Sequence, residues 1–323
     1  MLSLRNLVRE GATRLSAGPH GDRARADAEL LLLHVLGKDR VWLMIHTNKV
    51  LTEVEISNYR ALLERRVHGE PIQYLTGETE FYRMPFRVTP DVLIPRPETE
   101  LLVERVTQLV PVFLPRSDHF IEFRKISPHI WHSAANTTNS EESESKTNTT
   151  SHAPRIVDVG TGSGAIAVSI ARDWQESEIT AIDISPAALD IAHSNAERLG
   201  FADQIRFLEG DLLSPVAGER FEIIVSNPPY VAEADRAGLS VEVREYEPAL
   251  ALFAGDDGLE IYHRLIPAAF RALTPGGFLA LEIGFGQSPA IRALLADSGF
   301  EQIEFTPDLQ GIPRVACARR PTI

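Results

Sequence analysis

Apolar residues recur at helical spacing through the first 75 residues. Leu4, Leu7 and Val8 mark one stripe, Ala28 to Val35 (AELLLLHV) a second and Val54 to Val67 a third, with polar residues between. Pro19, Gly21, Gly37 and Thr52 fall where turns and caps are needed. The pattern predicts a small helical bundle. Across 76–97 the period changes: EFYRMPFRV alternates, which predicts a short hairpin, and Pro95 and Pro97 impose extended backbone behind it. Glu98-Thr99-Glu100 then opens a helix, ETELLVERVTQLV, with acidic residues in the first turn where the dipole favours them.

From Arg155 onward strands and helices alternate. RIVDV (155–159), EITAIDIS (178–185), QIRFLEGD (204–211), FEIIVS (221–226) and GFLALEI (277–283) have strand composition. AIAVSIARD, PAALDIAHSNAERLG and the stretches near 258–273 and 287–298 read as helices, with two short strands at the end. Such alternation predicts an α/β fold, a mostly parallel sheet with helices on both faces. Residues 113–154 break the pattern. The run SAANTTNSEESESKTNTTSHAP (133–154) holds almost no large apolar residue, so burial cannot offset the entropy of ordering it, and a disordered insertion is expected. Asn136 and Asn148 match the glycosylation acceptor pattern, yet nothing points to secretion; His129, His132 and His152 read as parts of the tract.

A length of 323 residues suggests about two domains. The pattern divides the chain into a bundle (1–75), a hairpin and linker (76–97) and an α/β domain (98–323) carrying the insertion. No apolar run approaches the roughly 20 residues that span a bilayer, so no membrane partner is expected. The Arg-rich N-terminus contains Glu10 and helical periodicity, and reads as a first helix rather than a transit peptide. Cys317 is the only cysteine, which excludes an internal disulfide or a Cys-based zinc site and fits a reducing cytoplasm. Net charge is −13, whereas residues 1–90 hold 13 Lys/Arg against 11 Asp/Glu, so the deficit lies beyond them. An acidic α/β half has no general attraction for phosphate backbones, which disfavours nucleic acid as the direct substrate.

The chemistry gathers at strand ends. After FEIIVS comes Asn227-Pro228-Pro229-Tyr230; two prolines cannot continue a sheet, so the chain leaves rigidly at the carboxyl edge, where open α/β sheets hold ligands. Asn227 Oδ1 and a carbonyl near Pro228 suit the two hydrogens of a planar NH2 group, and Tyr230 suits its flat face. Gly160, Gly162 and Gly164, with Thr161 and Ser163 between, join the first sheet strand to its helix. Glycine there lets backbone approach a ligand, and the helix start offers free N–H groups. The spacing is G-x-G-x-G rather than the dinucleotide G-x-G-x-x-G, with Asp158 just ahead of it. Asp183 ends the second strand, where a carboxylate binds ribose hydroxyls, and Asp211 ends the third, placed to accept from an adenine amino group. A single such Asp is ordinarily a cap or a solvated loop residue; the ordered series, with no Lys or Arg in the glycine loop, points to a nucleoside without phosphates. S-adenosylmethionine fits better than NAD or ATP.

With these motifs the sequence resembles the release-factor glutamine N5-methyltransferases, a family of class I S-adenosylmethionine-dependent methyltransferases with a Rossmann-like sheet. EPIQYLTGETEF (70–81), VLIPRPETELLV (92–103), YEPALALFAGDDGL (246–259) and LEIG (281–284) carry the resemblance across both halves of the chain, apart from 113–154. It implies methylation of the side-chain amide nitrogen of the glutamine in the Gly-Gly-Gln motif of peptide chain release factors, with residues 1–75 helping to bind the release factor. It further implies that Gly160 to Gly164, Asp183, Asp211 and Leu212 hold the cofactor, with Asn227 beside it. Asn227, Pro228, Pro229 and Tyr230 would bind the glutamine amide and carry the reaction. Leu212 stands where the family often has an aromatic residue and offers adenine packing without stacking. No metal is expected, and a monomer is, since no coiled-coil heptad or apolar patch speaks for assembly. Two rival readings share the motifs: an amino-methyltransferase acting on adenine or guanine in nucleic acid, and a non-catalytic module that keeps the fold for docking.

Overall fold

The computed structural model describes residues 3–114 and 153–323. Helices α1 (Leu4–Leu15), α2 (Ala24–Leu36), α3 (Arg40–Ile45), α4 (Glu53–Val67) and α5 (Ile72–Thr76) form the expected bundle. Its core gathers the apolar stripes read from sequence, with Leu4, Leu7, Leu31, Leu32 and Leu63 fully buried. Thr52 caps α4 reciprocally: Glu55 N–H donates to Thr52 Oγ1 (3.3 Å) and Thr52 N–H to Glu55 Oε2 (2.7 Å). Gly37 ends α2 in the left-handed conformation (φ +58°).

Strands β1 (Glu78–Phe81) and β2 (Met84–Arg87) make the hairpin. Its two-residue turn, Tyr82-Arg83, has positive φ at both positions (50° and 60°), the twist a tight hairpin needs, without the usual glycine. Three contacts hold it: Tyr82 N–H donates to Glu100 Oε1 (2.8 Å), Arg172 Nη1 to Tyr82 O (2.6 Å) and Tyr82 OH to Asp173 Oδ2 (3.0 Å).

Helix α6 (Pro97–Leu109) follows, and Phe113 still packs edge-on against Phe278 (6.0 Å). The expected insertion lies, from 115 to 152, outside the described residues. The sheet then forms from β3 (Arg155–Val159), β4 (Glu178–Asp183), β5 (Ile205–Glu209), β6 (Phe221–Ser226), β7 (Leu273–Glu282), β8 (Glu301–Pro307) and β9 (Pro313–Arg319). The strand order is β5-β4-β3-β6-β7-β9-β8, with β9 antiparallel to both neighbours and the rest parallel. Helices α7 (Ala165–Asp173) and α8 (Pro186–Leu199) join α6 on one face. The loop expected after β6 contains two short helices, α9 (Val241–Tyr246) and α10 (Ala249–Leu252), too brief to show a period. Helices α11 (Glu260–Ala272) and α12 (Ser288–Asp297) cover the other face.

The chain order reverses at β3, which pairs with β4 on one side and β6 on the other. A crevice therefore opens at the carboxyl ends of β3 and β6. The bundle is fastened to this half by the buried Arg66, which binds Asp27 Oδ2 (2.7 Å) on α2 and Glu242 on α9. Tyr74 OH donates to Val92 O (2.6 Å), and Tyr246 OH to His68 O (3.1 Å).

Candidate active site

A cavity of about 250 Å³ lies over the carboxyl ends of β3, β4 and β6. The glycine loop forms its floor, and all three glycines have positive φ (73°, 55° and 79°). A Cβ at Gly160 or Gly162 would meet open space, so glycine is required there for conformation alone; at Gly164 it would also lie 3.1 Å from Ala192 Cβ. Asp183 braces the loop from β4. Gly162 N–H donates to its Oδ2 (2.8 Å) and Ser185 N–H to its Oδ1 (2.9 Å). Thr161 Oγ1 donates to Asp158 Oδ2 (2.7 Å), and both side chains are buried. Burial raises the Asp158 carboxyl to about 7, and this residue does not line the cavity. It supports the loop from below rather than facing a ligand, because it sits inside β3, where side chains alternate between faces.

Asn195, on α8, was not singled out by sequence and is fully buried. Its Nδ2 donates to Ser163 O (2.8 Å) and Arg87 O (3.0 Å), and its Oδ1 accepts from Arg87 N–H (2.7 Å). One amide thus ties the glycine loop to the hairpin. Asp211 and Leu212 both reach the cavity. Leu212 has φ +51°, uncommon outside glycine, and Asp211 is paired with Arg264 from α11. The Asp211 carboxylate, expected to be free for an adenine amino group, therefore shares its acceptors with a cation 53 residues away. Both partners are half exposed, so the pair carries little energy by itself.

At the end of β6, Ser226 Oγ donates to Val159 O (2.7 Å), locking the two central strands together. Asn227, Pro228 and Pro229 line the cavity as expected. Asn227 Nδ2 donates to Thr99 Oγ1 (3.2 Å), which leaves the acceptor half of the amide for a ligand. Tyr230 departs from expectation. It is not among the residues lining the cavity; its ring packs on the core beneath α11, and its hydroxyl reaches Glu282 Oε1 (3.4 Å). The reason is that the chain turns sharply after Pro229: Gln287 Nε2 holds Tyr230 O (3.0 Å), and Val231 N–H donates to Leu252 O (2.9 Å). Gly258 and Gly284 make room, since a Cβ at either would approach Tyr230 O to 2.3 Å or its Cδ2 to 3.0 Å.

Thr99 and Glu282, both buried, complete this corner. They lie within PRPETE and LEIG, motifs that sequence alone gave no role. Burial raises the Glu282 carboxyl to about 7, while hydrogen bonding from Thr99 and Tyr230 pulls it back. Arg96 pairs with the buried Glu247, whose carboxyl burial likewise raises, fixing the PRPETE segment against the link between α9 and α10. Among the described residues, no cluster of His, Cys, Asp and Glu could hold a metal ion.

Residues 6–77 match the PrmC N-terminal domain, and residues 145–243 match the Methyltransferase small domain. The chain is 39% identical over 299 residues to the release factor glutamine methyltransferase of Koribacter versatilis, covering 92% of each chain. It is 38% identical over 320 residues to the protein of that name from Moorella thermoacetica, covering 99% of each. The fold is similar to the crystal structure of the hMettl16 catalytic domain in complex with MAT2A 3'UTR hairpin 6. That match has a TM-score of 0.51 at 15% identity and covers 74% of this chain and 75% of that one, a likeness of fold alone. With this identity running nearly end to end, the chain belongs to the release factor glutamine methyltransferase family.

Proposed function

We propose that this protein transfers a methyl group from S-adenosylmethionine to the side-chain amide nitrogen of the glutamine in the Gly-Gly-Gln motif of peptide chain release factors. The observation that carries the reading is Asn227, held at the cavity wall with its donor end on Thr99 and its acceptor end available.

The cavity suits the cofactor. Its glycine loop brings backbone close to the ligand and carries no cation, Asp183 supplies a carboxylate for ribose hydroxyls, and Leu93, Ile184, Leu212 and Leu250 give apolar walls for a base. Gly160 to Gly164, Asp183, Asp211 and Leu212 would hold it. S-adenosylmethionine supplies an activated methyl group when bound. The chain's own task is placement, because an amide nitrogen is a poor nucleophile whose lone pair is delocalised into its carbonyl. Asn227 Oδ1 and the Pro228 carbonyl accept the two amide hydrogens of the glutamine and favour a pyramidal nitrogen. Those bonds strengthen as nitrogen gains positive charge, so they assist the transition state more than the ground state, and one of the two protons leaves the nitrogen once the methyl group is bonded to it. Pro228 and Pro229 contribute rigidity, and Tyr230 supports the corner from the core side.

Residues 1–75, fastened through Arg66 and Tyr74, serve to bind the release factor. We place the reaction in the cytoplasm, consistent with the lone, buried Cys317, and take the working unit to be a monomer that does not act on nucleic acid directly. No helix among the described residues is long and apolar enough to cross a membrane.

The test is transfer of labelled methyl from S-adenosylmethionine to a purified release factor, beside its Gly-Gly-Gln→Gly-Gly-Ala variant. Label on the first and none on the second is expected. Equal labelling of both would move the target elsewhere on the protein, and label only on RNA or DNA would overturn the reading.

A further inference from the structure

Asn227-Pro228-Pro229-Tyr230 is a stiff segment, and a stiff segment is aimed by its two ends. Proline fixes φ at 228 and 229, and a residue ahead of proline is confined to extended backbone, which limits Asn227 and Pro228 as well. The near end is held where Ser226 Oγ donates to Val159 O (2.7 Å) and Asn227 Nδ2 to Thr99 Oγ1 (3.2 Å). The far end is held by Gln287, at the start of α12. Its Nε2 donates to Tyr230 O (3.0 Å) and Gly258 O (3.3 Å), and its Oε1 accepts from Gly284 N–H (2.8 Å). Turned the other way, the amide would set its oxygen against two carbonyls and its NH2 against an N–H, so one orientation alone satisfies all three partners. The main chain fixes the base of the side chain: Gln287 N–H donates to Gly284 O (3.2 Å), and Gln287 O accepts from Ile291 N–H (3.0 Å) in α12.

One amide thus joins three loops at the carboxyl edge: the turn after β6, the loop ahead of α11 and the loop after β7. Val231 N–H donates to Leu252 O (2.9 Å) and Ala254 N–H to Val231 O (3.0 Å), which ties the turn to the end of α10. Gln287 in turn ties both of these segments to the loop that follows β7. Two glycines make the space it fills, since a Cβ at Gly258 would lie 3.0 Å from Gln287 Nε2 and one at Gly284 2.8 Å from its Oε1. Both hydrogens and the oxygen of this amide are engaged within the protein, and Gln287 does not line the cavity, whereas Asn227 does and keeps an acceptor for a ligand. We propose that Gln287 is a positioning residue that acts through the Tyr230 carbonyl to aim Asn227 and the Pro228 carbonyl at the substrate amide. This inference rests on the reading of Asn227 and Pro228 given above. Its leverage comes from the chemistry: where placement is the chain's main task, a shift of about 1 Å in the accepting atoms costs rate even when the cofactor site is intact.

The experiment measures kcat and KM for methylation of a purified release factor at pH 8, for wild type, Gln287→Met and Gln287→Glu. Rates are taken per cofactor-binding site counted by calorimetry, so an unfolded fraction does not enter them. Met matches Gln in length and makes none of the three bonds. Glu keeps an acceptor for Gly284 N–H but turns a carboxylate oxygen toward the Tyr230 and Gly258 carbonyls. Both variants should lower kcat about tenfold, the effect of one lost orienting hydrogen bond, with KM for the release factor and cofactor affinity within threefold of wild type. A merely structural role would lower the number of binding sites and leave kcat per site in place. Should Gln287→Met bind no cofactor, Gln287→Glu decides by itself. If wild type labels the release factor but Gln287→Glu retains more than half of its kcat, the hold on Tyr230 is not what matters; the positioning role is wrong and the glutamine reading stands. A rise in KM with kcat unchanged would place Gln287 in docking and overturn the role as well. If wild type fails to label the release factor, the reading beneath it falls.

Discussion

Replacing Asp183 with Asn changes one atom and should weaken the cofactor site through two routes. In the structure both carboxylate oxygens already accept backbone N–H groups, Oδ2 from Gly162 at 2.8 Å and Oδ1 from Ser185 at 2.9 Å. Asn has one acceptor, so its NH2 group must face one of those donors. That replaces a hydrogen bond to a charged group, worth about 1.5–3 kcal/mol, with a donor–donor contact, and it loosens the loop that glycine conformations make possible. On the proposed reading the same carboxylate receives the ribose hydroxyls, and those bonds lose their ionic character too. Some of the loss is shared with the free protein and does not count toward binding. We therefore expect cofactor affinity to fall by about 2–4 kcal/mol, roughly 30- to 1000-fold. Isothermal titration of S-adenosylmethionine and of S-adenosylhomocysteine measures it, with circular dichroism to establish that the variant is folded. Both ligands should lose affinity alike, since the ribose is common to them. A folded variant that binds both within threefold of wild type would refute the argument. A loss confined to S-adenosylmethionine would mean that Asp183 acts on the sulfonium charge rather than on the ribose.

Three other outcomes follow from the geometry. Asn227→Ala should cut kcat on the release factor by about 100-fold or more, the scale of one transition-state hydrogen-bonding group, while calorimetry finds cofactor affinity nearly unchanged; retention of a third of the rate would contradict the role given to it. Gly164→Ala should cost more stability than Gly160→Ala by urea unfolding. Both variants carry the positive-φ penalty of about 1–2 kcal/mol, but only at 164 does the new Cβ press on Ala192, adding about 1–3 kcal/mol. Asp158 gives a pH signature: with its folded carboxyl raised to about 7 against about 3.9 unfolded, the folded state holds the proton more tightly, so stability is full below pH 4 and declines as pH rises toward and through 7. The loss is at most about 4 kcal/mol, and Asp158→Asn should flatten that decline in urea titrations at pH 5 and 8. An equally steep decline in the variant would assign it to other groups.

The sequence by itself determined the elements and much of the site. Helical spacing located the bundle, and strand composition located β3 and β6 to the residue, because periodicity and proline stops act over a few neighbouring residues. The order of β and α segments implied a parallel sheet, so the glycine loop, Asp183 and Asn227-Pro228-Pro229 had to meet along one carboxyl edge. What sequence could not decide is which way a side chain turns and whom it meets. Thr99 binds Asn227 from 128 residues away, Arg264 claims Asp211 from a helix on the opposite face, and Asn195 joins the hairpin to the loop across 108 residues. Tyr230 looked like a platform for substrate, but two distant glycines open a place for it against the core, and it turns there. Glu282 carried no local sign of its burial, since a carboxylate at a strand end reads as a solvated charge until the packed elements around it remove the water. Local periodicity is written in adjacent residues, whereas partner choice and desolvation arise only when helices and sheet close on one another.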